Sequence, residues 1–226
     1  MRLGIGLAVL GLCCAAATAG WAANSCVTCH ASLPAAQQKI HGFAEWSRSA
    51  HAQSNVACDA CHGGNPAQSA REAAHRGLLS SGRPESPLYF TRIPATCGGC
   101  HAAELAAFKT STHYKELQRS GRGPNCVTCH GAMATRVLTP GQMAETCSLC
   151  HTQPTAADAA LVTLNQAGAL LRTWAAKSGA SPQLAEARRR YTEATRQWHA
   201  FNMREVANEA RAIVQMARKA TANTTP

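Results

Sequence analysis

From residue 155 onward, apolar side chains recur every three or four positions, the spacing of one face of an α-helix. Leu161, Leu164, Gly168, Leu171 and Ala175 form one stripe, and Leu184, Ala187, Tyr191, Ala194, Trp198, Val206, Ala210, Ile213 and Ala217 form a second. Pro154 and Thr155-x-x-Asp158 read as a helix start, Gly179 as its end, and Ser181-Pro182 as an N-cap followed by a proline in the first turn. The expected product is an antiparallel helical hairpin over 154–226. Residues 24–153 carry no such stripe and no sustained strand alternation. Pro- and Gly-rich connectors at 63–67, 81–87, 120–124 and 138–141 divide this section into short turns. The fold class expected is mainly α with extensive loop. Ahead of it, residues 1–23 carry one charge, Arg2, then an apolar run, then small residues at Ala17, Ala19, Gly20 and Ala22, the pattern of a secretory signal peptide. The apolar run is shorter than the roughly 20 residues that span a bilayer, so cleavage is favoured over anchoring. The expected location is periplasmic or extracellular.

Composition changes how residues 24–153 must be read. After residue 23, Leu, Ile, Val and Phe account for 27 of 203 residues, a share that ordinarily marks disorder. Something other than these side chains has to build the core. The cysteines indicate what it is. Ten of the 12 fall in five Cys-x-x-Cys-His motifs: Cys26/Cys29/His30, Cys58/Cys61/His62, Cys97/Cys100/His101, Cys126/Cys129/His130 and Cys147/Cys150/His151. This is the spacing of c-type haem attachment, in which two thiols form thioethers to one porphyrin and the adjacent imidazole becomes an axial ligand of its iron. A zinc site would use spaced pairs and leave the histidine after every pair unexplained. With ten histidines in 226 residues, five such coincidences have a probability on the order of 10⁻⁷. Five covalently attached c-type haems, with no disulfide, are therefore expected to fill one compact section over 24–153.

Five histidines remain: His41, His51, His75, His113 and His199. One spare imidazole per iron is what bis-histidine coordination needs, and two axial nitrogens leave no position for a substrate. Met133 and Met143 are competing axial ligands but read more simply as core. A repeat supports two of the five. Trp46-x-x-Ser49-x-His51 precedes the second motif and Phe108-x-x-Ser111-x-His113 precedes the fourth, and Gly63-Gly64 and Gly131 follow those motifs. On one continuous helix the aromatic and the histidine would lie about 140° apart, leaving the histidine free to face a haem. His199 lies beside Trp198 at the edge of the second stripe, from where it could reach back to the haem section.

The formal charge of +10 and pI of 9.3 do not indicate nucleic acid. Ten haem propionates would offset most of that charge, and neither dense basic runs nor stacking platforms are present. The arginines suit bidentate pairing with propionates. The cluster Arg188-Arg189-Arg190 is a candidate contact for an acidic partner.

The order Cys-x-x-Cys-His, W-x-x-S-x-H-A, Cys-x-x-Cys-His-Gly-Gly over 26–64, with its echo over 97–131, resembles the multihaem cytochromes related to hydroxylamine oxidoreductase and its tetrahaem electron acceptor, and more distantly the ammonia-forming nitrite reductases. That resemblance implies haems in close stacked and perpendicular pairs, His51 and His113 as distal ligands, and an electron-transfer role outside the cytoplasm. The chain is far shorter than those enzymes and lacks a Cys-x-x-Cys-Lys motif. The expected function is electron transfer between redox proteins, from a membrane dehydrogenase or small carrier to a terminal reductase or outer-membrane conduit. Two other readings are a small nitrite or hydroxylamine oxidoreductase-like enzyme with one five-coordinate haem, and a subunit of an extracellular cytochrome filament or other homo-oligomer.

Overall fold

A computed structural model describes residues 24–152 and 155–222; the expected signal peptide lies outside them. The described chain is mainly helical, with no strand, in fourteen helices. The first six are short: α1 (Ser25–Ala31), α2 (Ala35–Ile40), α3 (Phe43–Trp46), α4 (Ala50–Gln53), α5 (Asp59–His62) and α6 (Arg71–Ala74). Five more carry the middle of the chain: α7 (Ile93–Gly98), α8 (Ala102–Thr110), α9 (Thr112–Ser120), α10 (Cys126–His130) and α11 (Pro140–Ser148). The long ones close it: α12 (Thr155–Ser178), α13 (Pro182–His199) and α14 (Met203–Ala222).

The hairpin expected over 154–226 is corrected to a three-helix bundle. Gly179 (φ +63) ends α12, and the Ser181 hydroxyl accepts the Leu184 amide at 3.1 Å to cap α13. The second apolar stripe does not run through unbroken. At Ala200–Asn202 the Phe201 amide donates to the Trp198 carbonyl at 2.9 Å and the Asn202 amide to the Gln197 carbonyl at 3.0 Å, the two bonds of a Schellman turn. Phe201 sits at φ +61 where glycine is usual, a conformation that costs a bulky residue on the order of 1–2 kcal/mol. No glycine or proline announces this break. The three helices share a core of Leu164, Leu171, Trp174, Leu184, Val206 and Ile213, among others. Arg190 on α13 pairs with Glu209 on α14 at 2.8 Å. Gly168 on α12 makes room for Tyr191, whose hydroxyl would lie 2.8 Å from an added Cβ.

Residues 24–152 have no comparable core. Apart from Ile93, Phe108 and Leu117, their buried apolar side chains fall into a small cluster of Val27, Trp46, Ala52 and Ala57, and another in which Leu138 and Met143 meet Leu161 of α12. Each motif nevertheless forms one helical turn. The amide of the histidine donates to the carbonyl of the first cysteine at 2.9 Å in the second, third and fifth motifs. Spacings of three and four then place both thiols and the imidazole on one face.

Candidate functional site

Side-chain caps set the motif turns in place. Asn24 accepts the amides of Cys26 and Val27 to start α1, and its own amide nitrogen donates to Asp59 of the second motif at 2.7 Å. Asn125 accepts from Val127 and Thr128 in a capping box that starts α10, and donates to the Phe90 carbonyl at 2.9 Å. These asparagines were not singled out as site residues from sequence. Asn ahead of a helical run is the signal that could have found them. Gly63 (φ +75) and Gly131 (φ +77) let the chain leave its helix directly after His62 and His130.

The repeated aromatic-x-x-Ser-x-His segment works differently from the single helix expected. Trp46 ends α3 and Phe108 lies in the last turn of α8; the serine is an N-cap, and the histidine is the second residue of the next helix. Ser49 accepts the Ala52 amide at 3.2 Å, and Ser111 accepts the Tyr114 amide at 3.0 Å. Both serines and both aromatics are buried. A short polar side chain stops one helix and starts another at an angle, and that corner aims the imidazole.

The imidazoles come in pairs. His51 faces His101 with ring centroids 6.0 Å apart, His113 faces His151 at 5.8 Å, His130 faces His199 at 6.3 Å, and His30 faces His75 at 6.2 Å. Two imidazoles on opposite sides of one metal, each bonded at about 2.0–2.1 Å, would hold their centroids roughly 6 Å apart. These ring separations would therefore suit an iron held between two histidines. They do not suit a zinc cage: among the described residues no three His, Cys, Asp or Glu side chains converge as a cation site. The repeat also keeps its register, since His51 passes over the second motif to meet the third, and His113 passes over the fourth to meet the fifth.

Two histidines stand outside this pairing. His41 lies 4.8 Å from His30, too close to share a metal from the opposite side, and His62 has no ring facing it among the described residues. Both line a cavity of about 550 Å³ together with His30, His75, Cys58 and Met133. A second cavity, about 350 Å³, is lined by His51, His101, His130 and His199 with Cys97 and Cys126. Both volumes lie in the range of small-molecule sites, about 300–1,000 Å³. Met143 packs against Leu138 and Leu161 and also lines the second cavity.

Electrostatics favour the neutral form of five of these imidazoles. Burial lowers the pKa of His51, His62, His113 and His199, and that of His30 falls by burial and by the nearby His41, His75 and His62. A neutral imidazole has the free lone pair that a metal requires. The Nδ1 atoms of His130 and His199 lie 2.9 and 2.7 Å from the carbonyls of Arg136 and Thr195. Each carbonyl holds a proton on Nδ1 and so leaves Nε2 as the donor atom, in two nearly parallel rings only 16° apart.

None of the ten motif cysteines is in a disulfide, and successive motifs lie within electrostatic reach of one another. Burial and then Cys26 push Cys58 up to about 11, and burial and then Cys147 push Cys129 up to about 11. Cys61 is raised by burial and by Cys97 and Cys100. Cys97 is raised chiefly by a hydrogen bond to Cys126, whose own pKa that bond lowers. The motifs thus adjoin in the order first, second, third, fourth, fifth. The second cysteines of the odd motifs, Cys29, Cys100 and Cys150, are exposed, while Cys61 and Cys129 are half-buried.

No family model, curated protein or solved structure matches this chain. Among the described residues no helix is long and apolar enough to cross a membrane.

Proposed function

We propose that this chain is an exported pentahaem c-type cytochrome that passes single electrons between redox proteins. The observation that carries the reading is the set of four motif histidines, each facing a spare histidine at the separation a shared axial metal requires. Cys26/Cys29, Cys58/Cys61, Cys97/Cys100, Cys126/Cys129 and Cys147/Cys150 would anchor the five haems, and His30, His62, His101, His130 and His151 would be their proximal ligands. His51, His75, His113 and His199 would be distal ligands, with His41 left for the remaining iron. Bound haem supplies reversible one-electron chemistry. The chain's own part is to hold the irons low-spin, to shield them from water, and to keep successive attachment sites adjacent from one end of the section to the other. The resemblance to the hydroxylamine oxidoreductase-related cytochromes agrees with this arrangement and rests on the motif order alone.

Purified mature protein should gain the mass of five haems, and its ferric spectrum should be dominated by low-spin iron. A mass of four haems or fewer from a host competent in haem attachment would reject the count, and predominantly high-spin iron would reject the ligation. The second reading, a small oxidoreductase with one open iron, is favoured by one observation: among the described residues His62 has no facing imidazole such as the four paired motif histidines have. It would place that open position at the second motif.

A further inference from the structure

The turn that splits α13 from α14 does more than end a helix. It follows directly on His199, which faces His130 of the fourth motif, and its central residue, Phe201, reaches a different histidine. The Phe201 ring stands 4.1 Å from that of His113, tilted by 66°, and 6.3 Å from Phe108. His113 in turn faces His151 of the fifth motif. One three-residue corner of the bundle therefore touches the axial sets of two motifs.

His113 differs from His130 and His199 in what orients it. The rings of His130 and His199 are fixed by carbonyls at Nδ1, whereas the His113 Nδ1 is buried with no hydrogen-bond partner. Its cap, Ser111, places the backbone but leaves rotation of the ring unfixed. The nearest aromatic face is Phe201, held in the left-handed region by both bonds of the turn. Strained backbone at a functional site persists where the surroundings over-determine it. Here the unusual φ is what turns the side chain of residue 201 toward His113.

We infer that Phe201 is a positioning residue for the axial ligand His113, and that its turn makes the helical bundle a clamp on the fourth and fifth haem sites together. The inference rests on the reading of His113 and His199 as distal ligands. The Phe201 ring, edge-to-face with the imidazole, takes the orienting role that carbonyls play at the His130–His199 pair. It also explains a phenylalanine where glycine would relieve the backbone.

The test uses the holoprotein with its five haems, read by electron paramagnetic resonance and by carbon monoxide binding to the ferrous form. Phe201→Leu should keep all five haems but shift the low-spin signal of one and raise its carbon monoxide binding rate at least tenfold. Phe201→Gly, which suits the turn, should do the same at that haem while leaving the His130–His199 signal in place. Phe201→Tyr should behave as wild type. Wild-type spectra and rates in both Phe201→Leu and Phe201→Gly would overturn the inference. So would a Tyr variant as perturbed as the Leu one, or simultaneous loss of both signals in Phe201→Gly. His113→Ala is measured alongside: if it leaves every low-spin signal intact, the ligand assignment itself fails, an outcome distinct from failure at Phe201.

Discussion

Replacing Ser111 by alanine tests whether a buried cap holds the corner from which His113 projects. The Ser111 hydroxyl accepts the Tyr114 amide at 3.0 Å and donates to the Phe108 carbonyl at 2.7 Å, and the residue is only 4 % exposed. Water cannot readily replace either bond. Loss of an N-cap costs about 1 kcal/mol, and loss of the second bond to the Phe108 carbonyl, which keeps the Ser111 amide as donor at 2.9 Å, adds up to a further ~1 kcal/mol. The expected destabilisation is thus about 1–2 kcal/mol, or a fall in Tm of roughly 2–8 °C for a chain of this size. Ser49→Ala should cost less, about 1 kcal/mol, because the Ser49 hydroxyl makes the cap bond alone. Both would be measured by chemical denaturation of the holoprotein followed by circular dichroism. Ser120→Ala, at an exposed hydroxyl on the same helix, serves as the control. Ser111→Thr keeps an oxygen at the cap and should recover most of the loss. If Ser111→Ala is no more destabilising than Ser120→Ala, the serine in the repeat is not the structural corner described above.

Cys126→Ala combined with Cys129→Ala should lower the intact mass by one haem and leave four; an unchanged mass would show that these thiols anchor nothing. His199→Ala should keep five haems yet turn one iron high-spin, since no thioether depends on it, and an unaltered spectrum would remove His199 from the axial set. Ile213 is fully buried in the bundle, so Ile213→Ala should cost about 2–5 kcal/mol of stability without altering haem count. Ferrous protein should bind carbon monoxide at no more than one haem per chain, because four motif histidines already face a partner. Two or more equivalents bound would contradict the pairing.

What the sequence made legible follows from where local rules operate. The Cys-x-x-Cys-His turns, the Ser181 cap and the Gly179 stop depend on residues within four positions of one another, and they stand in the structure as read. The count of spare histidines was also legible, being composition. Their pairing was not, because His51 meets His101 and His130 meets His199 across long stretches of chain that no local spacing can rank. Aromatic-x-x-Ser-x-His looked like one helix because periodicity outweighed capping chemistry, although serine beside a helical run is an N-cap signal in its own right. The break at Phe201 was hidden for the opposite reason. The apolar stripe continues through it, and a phenylalanine in the left-handed region runs against every local preference.

The bundle's core contains no motif cysteine and none of the ten histidines, so its consolidation does not wait on any cofactor. The three long helices are therefore able to settle before the section that precedes them. If residues 24–152 carry haem as proposed, that section would have little to bury before attachment and would present its cysteines as an open, accessible chain. On the proposed reading its folding would be gated by a covalent event, with the long helices closing over the loaded product. An unloaded chain would then pair a folded three-helix bundle with a loosely packed cysteine-rich section, a difference in accessibility that marks loaded from unloaded protein.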